Sequence, residues 1–204
     1  MLSLDWLNLL PKKIQGLKHK LMSVLDIVKY GDPRLRKEVR KVEDFSILPD
    51  IINKMYDSMY EADGIGLAAN QIGYDIDLFI IDLTDTEEIS DTFEFVNSKI
   101  VEKHGEAVFS EGCLSLPGIE FDIKRPEYVT VQYQKPNGTS HKQEFSGLFA
   151  RAIQHEIDHL AGKLIIDRVS SIEKLRYRTQ LKDTKKLAAF KYAELLRENS
   201  SVHV

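Results

Sequence analysis

Residues 148–160 read LFARAIQHEIDHL, and this stretch decides how the rest of the chain is organised. Ser146 stands before it as a cap. Gly162 follows it, and its missing Cβ suits a left-handed C-terminal cap, so the spacing predicts a short helix. His155 and His159 are four residues apart, which on a helix turns both imidazoles to the same side, where they can bind one cation. Glu156 lies beside that face, placed to take a proton from a bound water without being a ligand. Ala152, Ile153, Ile157 and Leu160 make the surroundings apolar, which weighs against a surface helix with two solvated histidines.

A catalytic metal site needs three protein ligands and one open position, so a third ligand must come from outside this helix. Downstream, the first acidic residue is Asp167, followed by a charged helix of solvated type. Upstream, the lone cysteine sits in Glu111-Gly112-Cys113-Leu114-Ser115, where Gly112 lets the backbone approach a ligand and a thiolate suits a soft or borderline metal. A lone cysteine is ordinarily a small buried hydrophobe. The glycine-flanked polar setting and the unmet need for a ligand reverse that expectation here. Further upstream, Gly64-Ile65-Gly66-Leu67-Ala68-Ala69-Asn70-Gln71 is too small, and too polar at its end, for a helix or a core strand. No Lys-Ser or Lys-Thr follows, which argues against a phosphate loop. Its two glycines invite another backbone, so we read it as an edge that pairs with an extended peptide by strand addition. Gln71 would then offer its side-chain amide to a developing oxyanion.

Elsewhere, Leu48, Ile51, Ile52, Met55, Tyr56, Met59 and Tyr60 mark one face of a helix over residues 48–60, ended by Gly64. Residues 78–83, 93–96, 107–109 and 128–133 are rich in β-branched and aromatic residues and read as strands. Asn137-Gly138, between residues 129–133 and 142–145, signals a hairpin, because both residues tolerate positive φ. Ser170 and Glu173 stand at capping-box spacing and open a last helix running to about Arg197. The fold class expected is a single α+β domain, with mixed or antiparallel sheets around a central metal-binding helix and helices at both ends. Its catalytic part spans residues 22–168, with a basic helix and tail over 169–204 and an N-terminal extension over 1–21.

Composition narrows the setting. With 204 residues, 43% hydrophobic and 29% charged, this is an ordinary globular chain, and a net charge of −4 gives no general electrostatic reason to bind DNA. One cysteine allows no internal disulfide and suits a reducing compartment, so the expected location is cytoplasmic; no apolar run approaches a membrane span. Residues 1–21 mix apolar residues with lysines but are interrupted by Pro11 and Gly16. They read as a plain extension, with an organellar presequence as the alternative and Met22 as an alternative start.

The three motifs, in this order, make the chain resemble the peptide deformylase family over roughly residues 24–167. Gly64, Gly66, Leu67, Ala68, Ala69 and Gln71 match its first motif, residues 111–115 its second and residues 154–160 its third; residues 29–35 and Arg125-Pro126 are similar to its flanking sequence. The resemblance implies metal-dependent hydrolysis of the N-formyl group from the formylmethionine of nascent proteins, releasing formate. Cys113, His155 and His159 would hold the metal, typically ferrous iron (Fe2+), with zinc, nickel or cobalt able to replace it. Glu156 would act as general base and then acid, while the Leu114 backbone amide and Gln71 stabilise the oxyanion. Ile65, Gly66 and Gly112 should meet the peptide backbone, Phe109, Leu148, Arg151 and Ala152 should surround the methionine side chain, and Glu111 should pair with Arg125.

In some bacterial members a basic C-terminal helix docks on the ribosome. Here Lys174, Arg176, Arg178, Lys182, Lys185 and Lys186 make the ribosome an expected partner, with a solvated helix face as the alternative. The chain departs from the family pattern at Asn70, where many members have proline, and this should loosen the loop that presents Gln71. It departs also at Ser98, where proline is usual, and at Glu120, where some members carry a substrate-binding arginine. Two other readings are an ordinary zinc endopeptidase, which would cleave unformylated peptides internally, and an idle homologue with a closed four-ligand structural metal.

Overall fold

The computed structural model describes residues 24–84 and 92–201, so the extension over residues 1–21 lies outside the described residues. Helix α1, Leu48–Glu61, buries most of the predicted apolar face: Leu48, Ile51, Ile52, Met55 and Met59 are buried, whereas Tyr56 is half-buried and Tyr60, at the edge of the face, is exposed. Pro49 in its first turn gives up an amide that would have had no partner, and Asp50 meets the positive end of the helix dipole.

Among the described residues seven strands follow, all paired antiparallel. β1 (Gly66–Ala68), β2 (Leu78–Ile81), β3 (Phe93–His104), β6 (Tyr128–Gln134) and β7 (Ser140–Ser146) form one sheet in the order β1-β2-β3-β6-β7, and β4 (Ala107–Gly112) pairs with β5 (Glu120–Arg125) in a second. The β6–β7 hairpin forms around Asn137-Gly138 with Tyr128 opposite Ser146 and Gln134 opposite Ser140.

Several expectations are corrected. The first motif, expected to be an edge and not a core strand, is both: among the described residues β1 pairs only with β2 at the sheet edge, and its Leu67 and Ala68 are wholly buried. Strand β3 does not stop at Val96 but runs for 12 residues, because Asn97 adopts φ 51° and a register shift lets the chain go on pairing with β6. Strand β5 was not foreseen at all.

Helix α2, Gly147–Leu160, packs Phe149, Ala150, Ile153 and Leu160 into a core with Phe79, Phe95 and Val131. Gly162 closes it at φ 69°, and a Cβ there would stand 2.7 Å from the Arg36 carbonyl, so only glycine fits. The C-terminal helix is two helices: α3 (Ser171–Leu175), opened by the predicted Ser170–Glu173 capping box, and α4 (Arg178–Ser201). Tyr177, which lies in the break, sets its ring edge-on against Phe121 of β5 at 5.2 Å. No helix among the described residues is long and apolar enough to cross a membrane.

Candidate metal centre

Three pieces of chain meet at one point: α2, the turn leaving β4, and β1 with the single helical turn after it. On α2 the His155 and His159 rings lie 5.1 Å apart, as their four-residue spacing requires. Cys113 follows directly on β4 in a tight turn closed by Leu116 N–H donating to the Cys113 carbonyl at 2.8 Å. Its Sγ lies 3.2 Å from His159 Nε2, and one ligand atom each from Cys113, His155 and His159 all fall within 4.8 Å of one another. One ion at the usual distances of about 2.0–2.3 Å can therefore reach all three, and a thiolate with two imidazoles suits iron, zinc, nickel or cobalt. Among the described residues no fourth donor joins the group, so a closed four-ligand site finds no support.

The electrostatics favour a cation. Burial pushes the Cys113 thiol up, but His159 and His155 outweigh it and hold the thiol well below its ordinary range. Burial pushes His155 down, while Cys113 and Glu111 raise it well above the usual imidazole value. A cation held here would take the place of the proton that His155 retains and would meet a thiol already inclined to ionise.

Glu111 Oε2 lies 3.2 Å from His155 Nδ1, which leaves Nε2 for the centre. Burial alone would raise the Glu111 carboxyl, yet hydrogen bonds from His155 and Arg125 lower it to about 2. The expected Glu111–Arg125 pair is present, with Nε–Oε1 at 2.7 Å and Nη2–Oε2 at 2.9 Å, and the Arg125 side chain is only 1% exposed. The network extends further than the sequence suggested. Arg125 Nη1 donates to Asp158 at 2.7 Å, and Asp158 is also paired with Arg168. Asp158 sits inside the histidine motif, and its helical spacing from His155 was the available signal. Nothing local marked Arg168.

Glu156 is 4% exposed, and its Oε2 has no hydrogen-bond partner within the protein. Burial pushes its carboxyl up, against the pull of His155 and His159. Gly66 explains how the carboxylate fits, since a Cβ there would stand 2.7 Å from Glu156 Oε1.

The orientation of the Gln71 amide follows from its partners. Its Oε1 accepts from Ala68 N–H at 2.8 Å, so its NH2 must point the other way, where it donates to Ser115 Oγ at 3.2 Å and approaches Cys113 Sγ at 4.0 Å. Ser115, fully buried, is a site residue that the sequence reading missed. The expectation that Asn70 loosens this loop is not met. Asn70 is 2% exposed and its Nδ2 donates to the His159 carbonyl at 2.6 Å, tying the loop to the last turn of α2.

A cleft of about 540 Å³ opens over the centre, with Gln71, Cys113, His155 and Glu156 in its wall. Ile65, Gly66, Gly112, Leu114, Leu148, Arg151 and Ala152 also line it. Phe109 is placed differently. It is 57% exposed and not among the lining residues, and its ring sits 5.0 Å from the Arg151 guanidinium. That guanidinium donates to Glu111 and to the Ile123 and Ala107 carbonyls, so Arg151 presents its stem to the cleft and not its charge.

Two imidazoles and a thiolate around one point, a buried unpartnered carboxylate beside them and an open cleft in front define a metal-dependent hydrolase. Residues 24–175 match the family model described as polypeptide deformylase. The chain is 43% identical over 166 residues to a peptide deformylase of Chromobacterium violaceum, covering 81% of this chain and 98% of that one. It is 39% identical over 177 residues to one of Christiangramia forsetii, covering 80% and 90%. Among solved structures, a peptide deformylase from Legionella pneumophila superposes with a TM-score of 0.74 at 41% identity, over 81% of this chain and 98% of that one. The enzyme from Thermus thermophilus gives 0.75 at 38% identity, over 81% and 99%. The chain belongs to the peptide deformylase family, metal-dependent enzymes that deformylate nascent peptides.

Proposed function

We propose that this chain hydrolyses the formyl group of formylmethionyl peptides at Cys113, His155 and His159, with ferrous iron as its metal. The observation that carries the reading is the unpartnered Glu156 carboxylate oxygen, buried in the same cleft wall as the converging donors. Cys113, His155 and His159 would hold the metal ion, which would supply Lewis-acid chemistry and acidify water there. Zinc, nickel or cobalt can occupy the same donors.

Glu156 takes the proton of the attacking water and later returns it to the leaving amine; its raised pKa suits both halves of that cycle. The Gln71 NH2, aimed by Ala68 and Ser115, and the Leu114 backbone N–H stabilise the oxyanion. Leu148, the Arg151 stem and Ala152 receive the methionine side chain, while Ile65, Gly66 and Gly112 meet the peptide backbone. The setting is cytoplasmic, and the basic face of α4 contacts the ribosome.

The test is formate release from formyl-Met-Ala-Ser against its acetylated and unblocked counterparts, after anaerobic loading with ferrous iron. We expect release from the formylated peptide alone. Internal cleavage of the unblocked peptide would replace this reading with an endopeptidase.

A further inference from the structure

Residues 28–30 lie outside all three motifs, yet each reaches a piece of the proposed oxyanion site. Val28 N–H donates to the Gln71 carbonyl at 2.7 Å, Lys29 Nζ to the Leu114 carbonyl at 2.8 Å and Tyr30 N–H to the Ser115 carbonyl at 2.9 Å. Two of these bonds are backbone to backbone, available to any residue but proline. The third is a side-chain bond. Lys29 is half-buried, and it lines the catalytic cleft.

We infer that Lys29 is a positioning residue for the oxyanion donors, acting through the Leu114 carbonyl; this rests on the reading of Gln71 and Leu114 as those donors. Each peptide unit is a rigid plane, so holding its oxygen also fixes the direction of its N–H. The plane between Cys113 and Leu114 is held by the Leu116 N–H on the Cys113 carbonyl, and the plane between Leu114 and Ser115 by Lys29. Leu114 is thus gripped on both sides. The second plane leads to Ser115, whose hydroxyl accepts from the Gln71 amide, so the same bond steadies both donors. An ammonium on a carbonyl is a charge-assisted bond, stronger than the neutral bonds of the residues beside it.

The experiment compares Lys29→Met, of similar length without a donor, Lys29→Arg, which keeps a cationic donor, and Gln71→Ala, all loaded with ferrous iron and assayed on formyl-Met-Ala-Ser. Lys29→Met should lower kcat about tenfold, less than the roughly 100- to 1,000-fold that removal of one oxyanion donor costs. KM, bound metal per chain and Tm should stay at wild-type values, and Lys29→Arg should recover most of the lost kcat. Should Lys29→Met fail to fold, Lys29→Gln is judged by the same readings. An unchanged kcat in Lys29→Met beside an impaired Gln71→Ala overturns the inference and leaves the oxyanion reading standing. So does a loss that falls on KM, or one matched by loss of metal and Tm, or one that Lys29→Arg fails to recover. An unchanged kcat in Gln71→Ala overturns the oxyanion reading itself.

Discussion

Helices α2 and α4 are both rich in charge and use it in opposite ways. In α2, Arg151, Glu156, Asp158 and His159 are buried, and the arginine and the aspartate are tied into a lattice with Glu111, Arg125 and Arg168. In α4, Lys182, Asp183, Lys185 and Lys186 stand in solvent, and Ala188 is its buried apolar contact. Taking a charge out of water costs several kcal/mol unless partners offset it, so a helix like α2 is tolerated only where a network surrounds it. The group left outside that network, the Oε2 of Glu156, is the one proposed to move a proton. A helix like α4 meets no such demand, and its sequence is constrained mainly by solubility and by whatever it contacts.

That contrast can be broken at its strongest point first. Glu156→Gln keeps the volume and loses the base, so kcat should fall about 100- to 10,000-fold, or about 2.7–5.5 kcal/mol, with metal content unchanged. Substantial turnover in a fully loaded variant would remove Glu156 from the chemistry. Arg125→Met leaves Glu111 and Asp158 buried without their shared partner and should cost about 3–5 kcal/mol in denaturant unfolding of the loaded protein. A loss below about 1 kcal/mol would mean that solvent reaches the network and that α2 is less unlike α4 than its burial indicates.

Gln71→Ala sharpens the comparison from the neighbouring loop, with an expected loss of about 2.7–4 kcal/mol in transition-state stabilisation, falling on kcat. A raised KM at near-normal kcat would place Gln71 in ground-state binding instead. At the small end, changing Lys182, Lys185 and Lys186 to Ala one at a time should shift stability by no more than about 0.5 kcal/mol each and leave tripeptide turnover unaltered. A fall in tripeptide turnover would show that α4 communicates with the centre.

What could be read from the sequence follows from how local each signal is. The two histidines of α2, the Asn137-Gly138 hairpin and the Gly162 cap are written in neighbouring residues, and each occupies its expected position. Strand β5 was missed although its signal is local: Phe121, Ile123 and Arg125 are buried in strict alternation with exposed Glu120, Asp122 and Lys124, and a charged residue at an inward position disguised the pattern. Other features were not local. Asn70 looks like a loosened loop until the His159 carbonyl is seen opposite its amide, and Lys29 looks like flanking sequence until Leu114 folds beside it. The break before α4 has no proline or glycine to announce it, and Tyr177 within it meets Phe121, a residue far away in the sequence.

Strand β1 is three residues long and pairs with β2 along one side only. A substrate that adds to its other side must arrive as extended chain, because a helix or a tucked-in terminus offers no row of free backbone groups to match. If substrate is read in that way, as proposed, finished proteins escape the enzyme. Its work is a race against the client's own folding, in which helices form within about a microsecond and hairpins within about ten, while a growing chain lengthens by roughly 5–20 residues each second. The interval in which a new N-terminus is both out in solution and still shapeless sets how many chains leave unprocessed.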